Sequence, residues 1–145
     1  MNNKYADTLK LARIQIVITI VFIFFKLIRP SALESTSFEF FKIVLFSLPN
    51  FFEAIIGILT LTGIGLIIND RFDKKHQIKP KSIYILTVVL SGTYVILQEL
   101  NIIDIRTNTT MDPNDIIFSI VGLIVGYLII QYIKPQFPSK TMNVQ

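Results

Sequence analysis

Residues 14–25 read Ile-Gln-Ile-Val-Ile-Thr-Ile-Val-Phe-Ile-Phe-Phe, and this run decides the class of fold. It is the centre of an apolar stretch from about residue 9 to residue 28. A helix of about 20 residues crosses a hydrocarbon core ~30 Å thick. The backbone in lipid must satisfy its own hydrogen bonds, and this run lacks the polar–apolar alternation of a β-barrel strand. We therefore predict a membrane-spanning helix here.

Three more stretches have the same character and nearly the same length. They cover about residues 51–68, 82–100 and 114–133. The last one has a clear start, because Asp112 can cap a helix and Pro113 suits its first position. The sequence thus predicts a single domain over residues 1–145, an all-α integral membrane four-helix bundle.

The segment 38–48 is apolar but covers only 11 residues, too few to cross a membrane. Two alternatives stay open for it. It can form a short interfacial helix on the surface that leads into the second span, or one arm of a re-entrant hairpin.

Composition agrees with a membrane protein. The chain has 145 residues, of which 52% are hydrophobic and 17% charged, against roughly 25% charged in soluble domains. Such a composition excludes intrinsic disorder. With no cysteine and only His76 as histidine, the sequence predicts neither a metal site nor a cofactor. The net charge of +4 suits lipid contacts better than nucleic acid in a membrane protein.

The distribution of Lys and Arg predicts the orientation. Ten of the 14 lie at the amino end, between spans two and three, or in the tail. The other four are Lys26, Arg29, Lys42 and Arg106. The positive-inside rule then places both termini in the cytoplasm, with the protein crossing the membrane several times.

Polar residues gather at one predicted membrane level, the outer edge, and form a candidate binding cluster. Because polar groups near membrane depth are costly, such positions are informative. The predicted cluster comprises Asn50 and Glu53 at the start of span two, Gln98 and Glu99 at the end of span three, Arg106, and Asp112 and Asp115 at the start of span four.

Structural explanations compete with binding at several of these positions. Asp112 and Asp115 can serve as a cap and as a charge that favours the helix dipole. Glu99 lies at a helix C-terminus, where an anion is disfavoured unless Arg106 pairs with it. Such a pair can be structural or part of a site. Gly122 and Gly126 form a small-xxx-small motif that predicts close helix packing.

The region from Tyr94 to Tyr132 resembles the VanZ-like family of small bacterial membrane proteins, as a divergent member. The resemblance rests on Gln98-Glu99 and Arg106, followed by the Asp112-x-x-Asp115 spacing. It continues with Ser119, Gly122 and Gly126, although the family usually has Asn where Ser119 stands. The resemblance adds Ser119 to the candidate binding residues. Members are associated with reduced susceptibility to teicoplanin-type glycopeptides, which implies a role in the cell envelope.

Three functions are open at this point. The first is a VanZ-like envelope protein whose outward cluster contacts membrane lipid, a cell-wall precursor, a lipid headgroup or an amphiphilic glycopeptide. The second is a non-enzymatic assembly or scaffold subunit with a protein partner. A small transporter is disfavoured because the middle of each span lacks an ionisable residue. The sequence carries no nucleophile–base pair or phosphate loop that would support an enzyme.

Overall fold

The computed structural model describes residues 3–99 and 112–136, and these residues form four helices. The helices are α1 (Asn3–Ser35), α2 (Glu39–Arg71), α3 (Pro80–Glu99) and α4 (Pro113–Ile133). Each is long and apolar enough to cross a membrane. The prediction of an all-α four-helix bundle is confirmed, and the chain is a multi-pass membrane protein.

Helix α2 lies at the centre of the bundle and contacts the other three helices. It runs antiparallel to α1, since Phe22 contacts Phe52 while Gln15 contacts Thr60. The core consists mostly of Ile and Leu, and Ile58 and Leu59 of α2 are fully buried within it. All the helices therefore depend on α2 for their position.

The contact between α2 and α4 is a close approach of two backbones. Gly122 lies against Phe51 and Ala54, and a Cβ atom at Gly122 would overlap the Phe51 carbonyl oxygen. Gly126 lies against Ile58, whose side chain occupies the space that a Cβ would need. Both α4 glycines thus lie in the α2–α4 interface, where small residues let helices approach in lipid.

Helices α1 and α2 are longer than the predicted spans. Each has 33 residues, which is about 50 Å of helix and exceeds the ~30 Å hydrocarbon core. The segment 38–48 is not an element of its own: from Glu39 onward it is the start of α2, and the re-entrant alternative is wrong. Pro49 does not end the helix, because it removes only one backbone bond and is itself buried by neighbouring side chains.

Side-chain hydroxyl groups join neighbouring helices by hydrogen bonds. The Oγ1 atoms of Thr62 in α2 and Thr87 in α3 are 2.9 Å apart and buried. Gln15 of α1 donates from Nε2 to Thr60 Oγ1 of α2 at 2.7 Å. Tyr84 donates its hydroxyl to the carbonyl oxygen of Pro135, just beyond α4, at 2.6 Å. These bonds set the rotation of each helix against its neighbour, which apolar contacts alone specify less sharply.

Helix α1 is the least enclosed of the four. Only 6% of its most apolar 18-residue window is buried within the chain, against 33% for α2 and α4. Its exposed side chains include Ile16, Ile20 and Phe24. In a bilayer these side chains face acyl chains, so their exposure costs no hydrophobic free energy.

The glycine contacts predict that two similar substitutions differ in their effect on the free energy of unfolding. Gly122→Ala should lower the free energy of unfolding by about 1–3 kcal/mol, because the added methyl group meets a backbone carbonyl that cannot rotate away. Gly57→Ala, where a Cβ meets nothing within 4 Å, is the matched control and should not destabilise. Unfolding by SDS titration in detergent measures both. Equal losses for the two variants would contradict the proposed packing.

Candidate functional site

The site lies at the end of the bundle where α3 finishes and α4 begins, here called the Asp115 end. Helix α4 starts there with a well-formed cap. Asp112 Oδ1 accepts hydrogen bonds from the backbone N–H and the Nδ2 of Asn114, both at 2.9 Å, and Pro113 occupies the first helical position. Asp112 therefore has a complete structural explanation as an N-cap.

Asp115, in the first turn of α4, has no comparable structural explanation. Its Oδ1 atom is buried and has no hydrogen-bond partner among the described residues. Favourable interaction with the helix dipole explains an acid in a first turn, but it does not explain burial of an oxygen without a donor. A buried acceptor without a partner costs about 1–3 kcal/mol, and more when it is charged.

Ser47 of α2 has the same property and was not among the residues predicted from sequence. It is 0% exposed, and its Oγ has no hydrogen-bond partner among the described residues. A hydroxyl usually bonds to the carbonyl four residues earlier in its own helix, as Thr60 does with Ile56. The only sequence signal was a lone serine in the apolar segment that precedes Pro49.

The register of the two helices places Ser47 level with Asp115. Gly122 lies against Ala54, and Gly126 lies against Ile58, so α2 and α4 run in the same direction. Residues seven apart return to the same face of a helix, two turns away. Asp115 is seven residues before Gly122 and Ser47 is seven before Ala54. Both residues therefore lie on the facing surfaces of α2 and α4.

Ser119 lies between Asp115 and Gly122 on the same side of α4 and is 1% exposed. Ser119 is one helical turn from Asp115 and about one turn from Gly122. The α2–α4 interface thus changes along its length. It is polar at Asp115, Ser47 and Ser119, and below them it is a dry contact of small and aliphatic residues.

Glu53 lies on another face of α2, whereas Asn50, three residues after Ser47 and four before Ala54, lies near the face that meets α4. At about 100° per residue, Glu53 is about 160° around the helix from Phe51, which contacts α4. It adjoins Phe52, which packs against Phe22 of α1. Both polar residues are half-buried, and neither forms a side-chain hydrogen bond with another described residue. The side of α2 that faces α4 therefore includes Ser47 and lies close to Asn50, whereas Glu53 is turned away from it.

The remaining predicted residues are placed only in part. Gln98 is half-buried in the last turn of α3, at the Asp115 end. Arg106 and the side chain of Glu99 lie outside the described residues, so their pairing stays a prediction. Within residues 3–99 and 112–136, no group of three or more His, Cys, Asp or Glu side chains is arranged to hold a metal ion.

The cap predicts a clear order among substitutions at Asp112. Asp112→Ala should destabilise the protein by about 0.5–2 kcal/mol, because the Asn114 N–H loses its acceptor. Asp112→Asn should retain most of the stability, since its side-chain oxygen can accept the same bond. Thermal unfolding in detergent, followed by circular dichroism, distinguishes the two. If Asn destabilises as much as Ala does, the charge matters beyond capping.

The chain was compared with known proteins. No protein-family model, no curated protein and no solved structure matches the chain.

Proposed function

We propose that the chain is a VanZ-like protein of the bacterial cytoplasmic membrane that binds the polar part of an envelope amphiphile at the Asp115 end. Such binding would lower susceptibility to teicoplanin-type glycopeptides. One observation carries the proposal: Asp115 Oδ1 and Ser47 Oγ are buried on facing helix surfaces, and neither has a partner among the described residues. The resemblance of residues 94–132 to VanZ-like proteins supports it.

The chemistry of these two groups favours a ligand that donates hydrogen bonds. An ionised carboxylate only accepts, and a hydroxyl donates once and accepts. An amide N–H, a hydroxyl or an ammonium group would satisfy Asp115, and a carbonyl beside it would satisfy Ser47. Cell-wall precursors and glycopeptides carry such groups on an amphiphilic body. A lone phosphate would be repelled by the carboxylate.

The orientation in this proposal follows from charge. The loop between α2 and α3 exposes Lys74, Lys75 and Lys79, which suits the anionic cytoplasmic leaflet. Asn69 holds this loop, because its side chain bonds both the N–H and the carbonyl of Ile78. With that loop inside, the Asp115 end faces outward, toward the cell wall.

Cysteine labelling tests the orientation. Because the sequence has no native cysteine, the introduced thiol alone can react with the label. We expect Ser37→Cys, in the exposed α1–α2 turn, to react with a membrane-impermeant maleimide on intact cells. We expect Lys75→Cys, equally exposed at the opposite end, to react only after permeabilisation. The reverse pattern would turn the Asp115 end toward the cytoplasm and remove a role facing the wall.

Drug susceptibility tests the activity itself. Expression in a susceptible host should raise tolerance to a teicoplanin-type glycopeptide. Asp115→Ala and Ser47→Ala should each abolish that gain, since loss of one hydrogen bond to a charged group weakens binding by about tenfold or more. Asp73→Ala, an exposed acid at the other end, is the control and should keep it. Unchanged susceptibility at good expression would instead favour the assembly-subunit alternative.

A further inference from the structure

Three basic residues lie on the half of the α1–α2 hairpin toward the Asp115 end: Lys26 and Arg29 of α1, and Lys42 of α2. They are three of the four Lys and Arg residues that oppose the charge bias of the chain. Basic residues at the end of a span often extend to the headgroup region without any specific partner. These three have a more defined arrangement.

Aromatic rings position two of the three cations. The Arg29 guanidinium lies over the Phe46 ring of α2 at 5.0 Å from its centroid. Lys26 Nζ lies over the Phe22 ring at 5.4 Å. Phe22 in turn packs on Phe52 of α2, with 5.9 Å between ring centroids. Cation–π contacts of this kind hold a charge in place and leave its hydrogen-bond donors available.

Lys42 completes the arrangement from α2. It precedes Phe46 by four residues, so the two side chains are neighbours on one helix face. Arg29 lies over Phe46, and Lys26 lies three residues before Arg29 on α1. Lys42 is therefore beside Phe46, whereas Lys26 extends back along α1 over Phe22, one turn before it. Arg29 and Lys42 are both half-buried, which restricts their motion.

Carboxylates do not neutralise this group within the described residues. None lies within 4.0 Å of Lys26, Arg29 or Lys42, and the one ion pair formed there joins Lys10 and Asp7. The acids of the hairpin are Glu34 and Glu39, both exposed and nearer its tip. Glu53 lies two turns deeper than Phe46, next to Phe52 at the level of Phe22, and it forms no ion pair with Lys26. Among the described residues, no carboxylate therefore competes with an anionic ligand for these three cations.

We infer that this basic group binds the phosphate of an anionic phospholipid. Arg29 can donate two parallel hydrogen bonds to phosphate oxygens, and the lysines add charge on either side. The acyl chains would lie along the exposed apolar side chains of α1 next to Lys26, namely Ile23 and Leu27. This site is separate from Asp115 and Ser47, and its lipid would bind whether or not the protein affects glycopeptide susceptibility.

Native mass spectrometry of the intact protein in detergent tests the site. Titrated phosphatidylglycerol should bind saturably, with one lipid per chain at the lowest concentrations. Arg29→Gln should weaken that binding by about tenfold, the effect of losing one charged hydrogen-bonding partner. Arg13→Gln is the matched control, since Arg13 is an exposed cation on the same helix at its opposite end, and should leave the affinity unchanged.

Two further arms identify the chemistry. Diacylglycerol, which has the acyl chains without the phosphate, should not occupy the site. Inorganic phosphate should displace the lipid only at far higher concentration. Equal weakening by Arg13→Gln and Arg29→Gln would reduce the effect to general attraction and overturn the proposal. So would equal binding of diacylglycerol, or displacement by inorganic phosphate at the concentration of the lipid.

Arg29→Lys distinguishes recognition from folding. It keeps the charge and the helix but loses the planar fork, so affinity should fall between that of the native protein and that of Arg29→Gln. Circular dichroism should show unchanged helix content for every variant. An affinity of Arg29→Lys equal to that of Arg29→Gln, with helix content retained, would contradict a site that depends on positive charge.

Discussion

The close approach of α2 and α4 at Gly122 and Gly126 is the constraint on which the rest of the structure depends. Water does not drive helices together inside a bilayer, so the gain must come from contact between their surfaces. Glycine lets the α4 backbone rest on the Phe51 carbonyl and the Ile58 side chain. Once α2 and α4 are packed together, they offer α1 and α3 a fixed surface on which to pack.

The same contact determines where polar groups meet. By aligning Gly122 with Ala54, it brings the start of α4 level with Ser47 two turns before. Asp115 Oδ1 and Ser47 Oγ are thereby buried at one level of the bundle, although 68 positions separate the two residues in the chain. Deeper in the bundle, the hydroxyls of Thr62 and Thr87 satisfy each other. Ser91 Oγ in α3 is likewise buried without a partner among the described residues, so what distinguishes the Asp115 end is that Asp115 and Ser47 lie at one level on facing helices.

Charge is organised differently on the two sides of α2. Toward α4, the Asp115 end presents acceptors that suit a ligand with hydrogen-bond donors. Toward α1, it presents Arg29 over Phe46 and Lys26 over Phe22, donors that suit phosphate. The two faces are separate, and α2 presents both of them. The length of α2, about 50 Å, makes this possible because its first turns extend past the start of α4.

The apolar runs were enough to predict four membrane helices, because a backbone in lipid has few alternatives and hydropathy reports that directly. The cap at Asp112 and the packing role of Gly122 and Gly126 were also predicted from sequence, since each depends on a short local motif. The ends of α1 and α2 were missed because helices continue past the hydrocarbon core, and Pro49 does not stop one that is supported by packing. Which side of each helix faces its neighbour was determined only by the tertiary structure. Nothing in the local sequence indicates that Ser47 lies level with Asp115, that Glu53 points elsewhere, or that Arg29 stacks on Phe46, because each depends on how one helix is rotated against another.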